Sequence, residues 1–358
     1  MKKIDLIVGA RPNFIKAFPV YDALAEAGSF DLRLINTGQH YDKNMANIFF
    51  RQLKMKQPDI DLMVGSGTHA EQTSKIMVEI EKVFMGNIPD LVIVFGDVNS
   101  TIAAALAASK LHIPVAHVEA GLRSFNRTMP EEINRILTDQ ISELLFITSP
   151  EAQENLLKEG KDKNQIYFVG NTMIDSLIRF QPHFDSAHIK DECGFQDKEY
   201  ILITLHRPSN VDDPANLKQL VTSLNRVAEI APCLWPLHPR TRKQLDGIVP
   251  KIHDRLFMID PLGYLEFMGL QRDAVTVITD SGGIQEESTF LGVPCLTVRD
   301  NTERPITIDQ GTNRLVGTEY SNLPGAVREA IVEKIEPKVP KLWDGKSSQR
   351  IASVLRIC

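Results

Sequence analysis

The sequence predicts an α/β protein built from two doubly wound units, each a parallel sheet covered by helices on both faces. Three observations carry this reading. Short β-branched runs alternate with longer segments of helical period from end to end. At 358 residues the chain exceeds what one typical core holds. The alternation also lapses once, around Gln181 to Lys198, in a polar stretch with Pro182, His183, Asp185 and Gly194, and then restarts. The expected division is 1–180 and 181–344, with a C-terminal helix at about 345–358 crossing back onto the first unit.

In the first half the strand candidates are Ile4 to Val8, Leu32 to Asn36, Leu91 to Phe95, Val115 to Val118, Leu144 to Ile147 and Ile166 to Val169. Helices fill the gaps at Asn13 to Ala27, Asn44 to Leu53, Glu71 to Phe84, Ser100 to Leu111, Glu131 to Ser142 and Glu151 to Leu157. The second half offers strands at Tyr200 to Leu205, Leu234 to Leu237, Leu256 to Ile259, Val275 to Ile278 and Cys295 to Val298. Its helices lie near Ala215 to Ile230, Leu265 to Leu270 and Ile284 to Leu291. The amphipathic segment Ser347 to Ile357 follows a loop with Pro337, Pro340 and Gly345.

Forty Lys and Arg against 46 Asp and Glu give a net charge of -6, so there is no general attraction to nucleic acid or an anionic membrane. The apolar run before Arg11 is too short for a signal peptide, and no later run reaches spanning length, so a cytoplasmic protein is expected. Cys193, Cys233, Cys295 and Cys358 lack CxxC spacing and read as reduced thiols.

In doubly wound sheets ligands sit beyond the carboxyl ends of the strands, so polar residues that close apolar runs are the candidates. Ser281-Gly282-Gly283 ends one such run as a tight turn before a helix, where free N–H groups face an anion such as phosphate. Glu287, one turn on, is placed to accept hydrogen bonds from sugar hydroxyls. Gly9-Ala10-Arg11 matches no GxGxxG pattern and there is no GxxxxGK[ST], yet Arg11 and Lys16 suit a phosphate or carboxylate.

Asp97 and Glu119 close neighbouring strands, an arrangement suited to proton transfer because repulsion and desolvation move one pKa towards neutrality. The structural alternatives are a helix cap for Asp97 and an Arg123 partner for Glu119. Thr128-Met129-Pro130-Glu131 fits a capping box, with Glu131 and Glu132 in the first helical turn. His206-Arg207 and His238 end two strands of the second half, and Arg299 and Arg304 follow another, where they could meet the charged part of a ligand held at Ser281. No HxH or HExxH spacing supports a metal at His206, Asp97 and Glu119, and none is expected.

Together with Thr37-Gly38-Gln39-His40, His117 to Arg123, Pro130 to Arg135, Val169 to Thr172 and Thr279 to Glu287, these pieces resemble the non-hydrolysing UDP-N-acetylglucosamine 2-epimerase family over nearly the whole chain. The resemblance implies two Rossmann-like domains facing a cleft in the glycosyltransferase-B architecture, usually as a homodimer, interconverting UDP-GlcNAc and UDP-ManNAc. By it, Ser281, Gly282 and Gly283 hold the diphosphate and Glu287 the ribose, while Arg11 and Lys16 face the sugar phosphate. Gln39, His40, Arg135, Arg207, His238 and Arg304 join the substrate-binding set. Asp97, Glu119, Glu131 and His206 are the expected catalytic residues.

Carbon 2 of an N-acetylhexosamine has no adjacent carbonyl, and the chain carries no NAD fingerprint, so no cofactor is expected. Elimination of UDP to 2-acetamidoglucal, followed by re-addition on the other face, accounts for inversion and needs a carboxylate base, an acid and cations. Two departures bear on substrate. His206-Arg207 continues with Pro208-Ser209-Asn210 where the family commonly has Arg-Glu-Asn, and Tyr41-Asp42-Lys43 is unlike members activated by a second UDP-GlcNAc. The sugar could therefore be a 6-deoxy, uronic or diacetamido derivative. A glycosyltransferase of the same architecture, a hydrolysing epimerase releasing ManNAc and a non-catalytic nucleotide-sugar sensor are the alternatives.

Overall fold

The computed structural model describes residues 1–39, 55–237, 239–245, 251–332 and 338–357, without the side chains of residues 11, 239 and 240. The chain divides into two compact units, Met1–Arg179 with Lys341–Cys358, and Phe180–Pro340.

The first unit holds β1 (Lys2–Val8), β2 (Phe30–Asn36), β3 (Ile60–Asp61), β4 (Leu91–Phe95), β5 (Val115–Ala120), β6 (Leu144–Ile147) and β7 (Ile166–Phe168). Every pairing is parallel and the spatial order is β3-β2-β1-β4-β5-β6-β7. The second unit holds β8 (Ile201–Thr204), β9 (Cys233–Pro236), β10 (Leu256–Ile259), β11 (Thr276–Thr279), β12 (Cys295–Thr297) and β13 (Asn313–Leu315). Its order is β10-β9-β8-β11-β12-β13, again all parallel.

Both sheets are covered on two sides, which is why their strands are continuous apolar runs and not alternating ones. In β8, Ile201 and Ile203 enter one core with Trp235 and Leu224, while Leu202 enters the other with Leu234 and Leu270. Strand order reverses between β1 and β4 in the first unit and between β8 and β11 in the second. These switch points are where doubly wound sheets open a crevice at the carboxyl ends of their strands.

The C-terminal helix Ser347–Ile357 belongs to the first unit. The buried Asp175, on the helix Thr172–Phe180, accepts from Ser347 N (3.1 Å), Ser348 N (2.7 Å) and Ser348 Oγ (2.6 Å), so a side chain from another helix caps this one. Trp343 is buried and donates Nε1–H to the Thr148 carbonyl at 3.1 Å.

Several elements differ from expectation. The helix expected to follow the Ser281-Gly282-Gly283 turn from Ile284 begins at Gly282. A helix, Ala187–Cys193, lies inside the stretch read as linker, closed by Gly194 in the left-handed region at φ 69°. The expected helix Asn44 to Leu53 lies outside the described residues.

Candidate active site

In the first unit the switch point gathers Asp97, just after β4, and Glu119, within β5. Asp97 does not cap the following helix Asn99–Lys110, whose N-cap is Val98. Its carboxylate instead receives Arg135 Nη2 at 2.8 Å and Nε at 3.0 Å, and its side chain remains 23% exposed. The turn that carries it is held at three successive carbonyls. Phe95 O accepts from Asn13 Nδ2 (2.9 Å) and Thr101 Oγ1 (2.7 Å), Gly96 O from His117 Nε2 (2.8 Å), and Asp97 O from Asn134 Nδ2 (2.9 Å).

Glu119 sits at φ 77°, in the left-handed region that side chains disfavour, and the pairing of β5 with β6 shifts register there. Its carboxylate is 4% exposed and is paired with Lys16, not with Arg123. Lys16, also buried, is thus committed to Glu119. Gly96, at φ 62°, admits the ammonium, since a Cβ there would lie 3.2 Å from Lys16 Nζ.

Arg123 turns instead to Asp139, at 2.7 Å, and to Glu159, at 2.6 Å. Asp139 is fully buried and also receives Gly121 N at 3.0 Å and His117 Nδ1 at 2.6 Å. Burial alone would raise the Asp139 pKa, but the charges and hydrogen bonds of His117 and Arg123 outweigh it and hold the carboxyl below its ordinary value. Burial opposes the charge on the Arg123 guanidinium, but Glu159 and Asp139 outweigh it and raise the pKa of Arg123 above its ordinary value.

The helix Pro130–Ile141 starts at N-cap Met129 without a side-chain cap, so the expected Thr128 capping box is not formed. Thr128 Oγ1 bonds Asn126 Oδ1 instead. Glu131 is half-buried in the first turn, whereas Glu132 turns inward and accepts from Ser124 N (2.9 Å), Phe125 N (2.8 Å) and Arg135. Gln39 is buried, its Oε1 accepting from Ser100 N at 3.0 Å and Ser100 Oγ at 2.7 Å. The Arg11 side chain, His40 and His238 lie outside the described residues.

In the second unit Asp280 organises the switch point. Fully buried after β11, it accepts from His206 N (3.0 Å), Arg207 N (2.9 Å) and Asn210 Nδ2 (3.0 Å). His206 Nδ1 lies 3.4 Å from its Oδ1, and the imidazole is 48% exposed. Ser281 N bonds Thr279 Oγ1, and Ser281 is the N-cap of the helix Gly282–Leu291 without a side-chain capping bond.

Neither Gly282 nor Gly283 adopts positive φ, so the expected turn gives way to a helix start. At Gly282 the requirement is space, because a Cβ would come within 2.5 Å of Arg304 Nη1 and 2.6 Å of Glu303 Oε1. In the loop after β12, Arg299, Glu303 and Arg304 are buried. Arg299 pairs with Glu303 at 2.8 Å, and Arg304 with Glu286 at 3.0 Å and with Glu303. Glu287 is buried, with Tyr264 OH donating to it at 3.4 Å.

Asp280, His117 and Asp139 escaped the sequence reading as site residues. Asp280 closes an apolar run and His117 interrupts one, which is the signal the sequence holds for them; Asp139, between Thr138 and Gln140, carries none. Among the described residues no group of three or more His, Cys, Asp or Glu is placed to hold a metal ion. Nor is any helix there long and apolar enough to cross a membrane.

Two parallel α/β units, each with charged side chains and a glycine-containing turn or helix start at its switch point, define an enzyme of the doubly wound, Rossmann-like class. The family model for UDP-N-acetylglucosamine 2-epimerase matches residues 22–356, and the chain belongs to that family. The UDP-N-acetylglucosamine 2-epimerase of Methanocaldococcus jannaschii is 45% identical over 99% of this chain and 98% of its own. The UDP-2,3-diacetamido-2,3-dideoxy-D-glucuronate 2-epimerase of Pseudomonas aeruginosa is 44% identical over 99% of both. The crystal structure of the M. jannaschii enzyme with UDP-GlcNAc and UDP aligns with a TM-score of 0.91 at 43% identity, covering 99% of this chain and all of that one.

Proposed function

We propose that this enzyme inverts carbon 2 of a UDP-2-acetamido sugar, interconverting UDP-GlcNAc and UDP-ManNAc or a modified pair of the same kind. The observation that carries the mechanism is the set Asp97, Glu119 and Glu131: one carboxylate on an arginine, one buried on a lysine in a strained bulge, one at a helix start. In the first step the bond from carbon 1 to the UDP oxygen breaks and positive character at carbon 1 makes the carbon 2 proton removable. A carboxylate takes that proton, the double bond of 2-acetamidoglucal forms, and UDP leaves with the bonding pair. In the reverse sense a proton is delivered to the other face of carbon 2 and UDP re-adds at carbon 1.

The helix start at Gly282, with the Arg304 guanidinium against it, is the place this reading gives to the departing diphosphate, and Glu287 the place it gives to the ribose. His206, oriented by Asp280, completes the polar set. A homodimer in the cytoplasm is the assembly that goes with this function, and light scattering tests the dimer.

The sugar is decided by assay, since relatives of nearly equal identity carry two different sugar names. Incubated in deuterated water without added NAD or metal, the protein is expected to place deuterium at carbon 2 of UDP-GlcNAc or of UDP-2,3-diacetamido-2,3-dideoxy-D-glucuronate, together with the epimer. Exchange with the second alone moves the substrate and keeps the mechanism; exchange with neither, and with no other UDP-2-acetamido sugar, sinks the reading. Free ManNAc as the product would point to the hydrolysing reaction.

A further inference from the structure

The three carboxylates of the proposed mechanism stand on three different elements, and one helix holds the other two in place. Pro130–Ile141 carries Glu131 in its first turn. One turn on, Asn134 donates to the Asp97 carbonyl at 2.9 Å and Arg135 grips the Asp97 carboxylate. Near its far end Asp139 reaches both sides of the β5 bulge. It accepts from His117 Nδ1 (2.6 Å), two residues before Glu119, and from Gly121 N (3.0 Å), two residues after it. Through His117, whose Nε2 lies 2.8 Å from Gly96 O, the same carboxylate also reaches the turn that carries Asp97.

Glu119 at φ 77° is in a conformation that a side chain disfavours and that the surrounding structure must hold, whereas Gly121 takes φ 79° freely. The hydrogen bond from Gly121 N is part of what holds Glu119 there. A carbonyl oxygen at Gly96 can only accept, so His117 must donate there, and Asp139 takes its other nitrogen.

We infer that Asp139 is a positioning residue for the reaction: from inside the fold it fixes the strand end bearing Asp97 and the bulge bearing Glu119 against the helix that bears Glu131. This inference rests on the epimerase reading above. Asp139 and His117 are fully buried and do not face solvent, so they act through the groups they hold. A misplacement of about 1 Å at a reacting group is enough to cost roughly 100-fold in rate.

The test compares Asp139→Asn, His117→Gln, their double variant and Asn134→Ala in the full-length protein, with carbon 2 deuterium exchange and UDP titration as readouts. D139N and N134A are each expected to lower kcat by about 10- to 100-fold. KM and UDP affinity should stay within about twofold, because the interactions lost are made with protein and not with substrate. The double variant should be little worse than D139N, since the two residues act as one unit. Kinetics like the wild type in both D139N and N134A overturn the inference, as does a fall in kcat matched by an equal loss of UDP binding. Should D139N fail to fold, His117→Gln decides, because it removes the link from Asp139 to the Gly96 carbonyl while Asp139 keeps Gly121 N and Arg123. Wild-type protein that exchanges no UDP-sugar sinks the proposed function and the positioning role with it. Activity in the wild type with no effect in the variants sinks the positioning role alone.

Discussion

Glu119 combines two costs: a left-handed backbone conformation and a carboxylate removed from water. The first is worth about 1–3 kcal/mol, and the second is offset in part by Lys16, buried against it. Breaking such a pair from one side leaves an uncompensated charge in the interior. Glu119→Gln is therefore expected to destabilise the protein by roughly 3–5 kcal/mol, and Lys16→Met added to it to return most of that loss while leaving the enzyme inactive. Urea denaturation of both variants checks the first part and deuterium exchange the second; a single variant as stable as wild type would contradict it. That Glu119 needs a partner was legible in the sequence, since a charge closing the run Pro114-Val115-Ala116-His117-Val118 needs a reason. Its partner was not. Arg123 was the local candidate, but the bulge at Glu119 changes the register and Arg123 turns to Asp139 and Glu159, while Lys16 arrives from the helix Arg11–Glu26 after β1. Partners across a sheet depend on strand order, which spacing along the chain does not encode. For the same reason Asp97 looked like a cap for the helix beside it, and its real holder, Arg135, sits on another helix.

Elements whose signal is their own composition were the readable ones. Leu91–Phe95, Leu144–Ile147 and Leu256–Ile259 fall where their apolar runs begin and end. The strands Ile60–Asp61 and Asn313–Leu315 were not foreseen, being two and three residues long and largely polar at the sheet edges. The helix Ala187–Cys193 was hidden by its own terminator, because Gly194 reads as loop when it is in fact the left-handed residue that closes the helix. The helix Ser347–Ile357 shows how such an element is anchored. Two of its first-turn N–H groups end on Asp175, and Ile351 and Leu355 are buried. Asp175→Ala would leave those donors inside the fold without an acceptor and should cost about 1–3 kcal/mol. Hydrogen exchange localises the effect: faster exchange at Ser347 and Ser348 is expected, and an unchanged rate there would mean that water replaces the carboxylate.

At the scale of the whole molecule, two sheets with the same reversal of strand order, each with its own hydrophobic cores, share one chain. The chemistry is divided between them in the proposed mechanism. The carboxylates Asp97, Glu119 and Glu131 belong to the first unit, and the helix start at Gly282 with Glu287 and His206 belongs to the second. A protein with separate cores need not unfold in one step, and a ligand stabilises only the part that binds it. UDP at about 100 times its Kd contributes about 2.7 kcal/mol, which for a unit of 150–250 residues is a rise of roughly 5–10 °C in midpoint. The expected calorimetric trace therefore has two transitions, of which UDP raises only the one due to Phe180–Pro340. E119Q supplies the assignment, because its cost falls in the other unit and should lower the other transition. If UDP moves the transition that E119Q lowers, the nucleotide is gripped by the unit carrying the carboxylates, and the division of labour assigned to the two sheets is wrong.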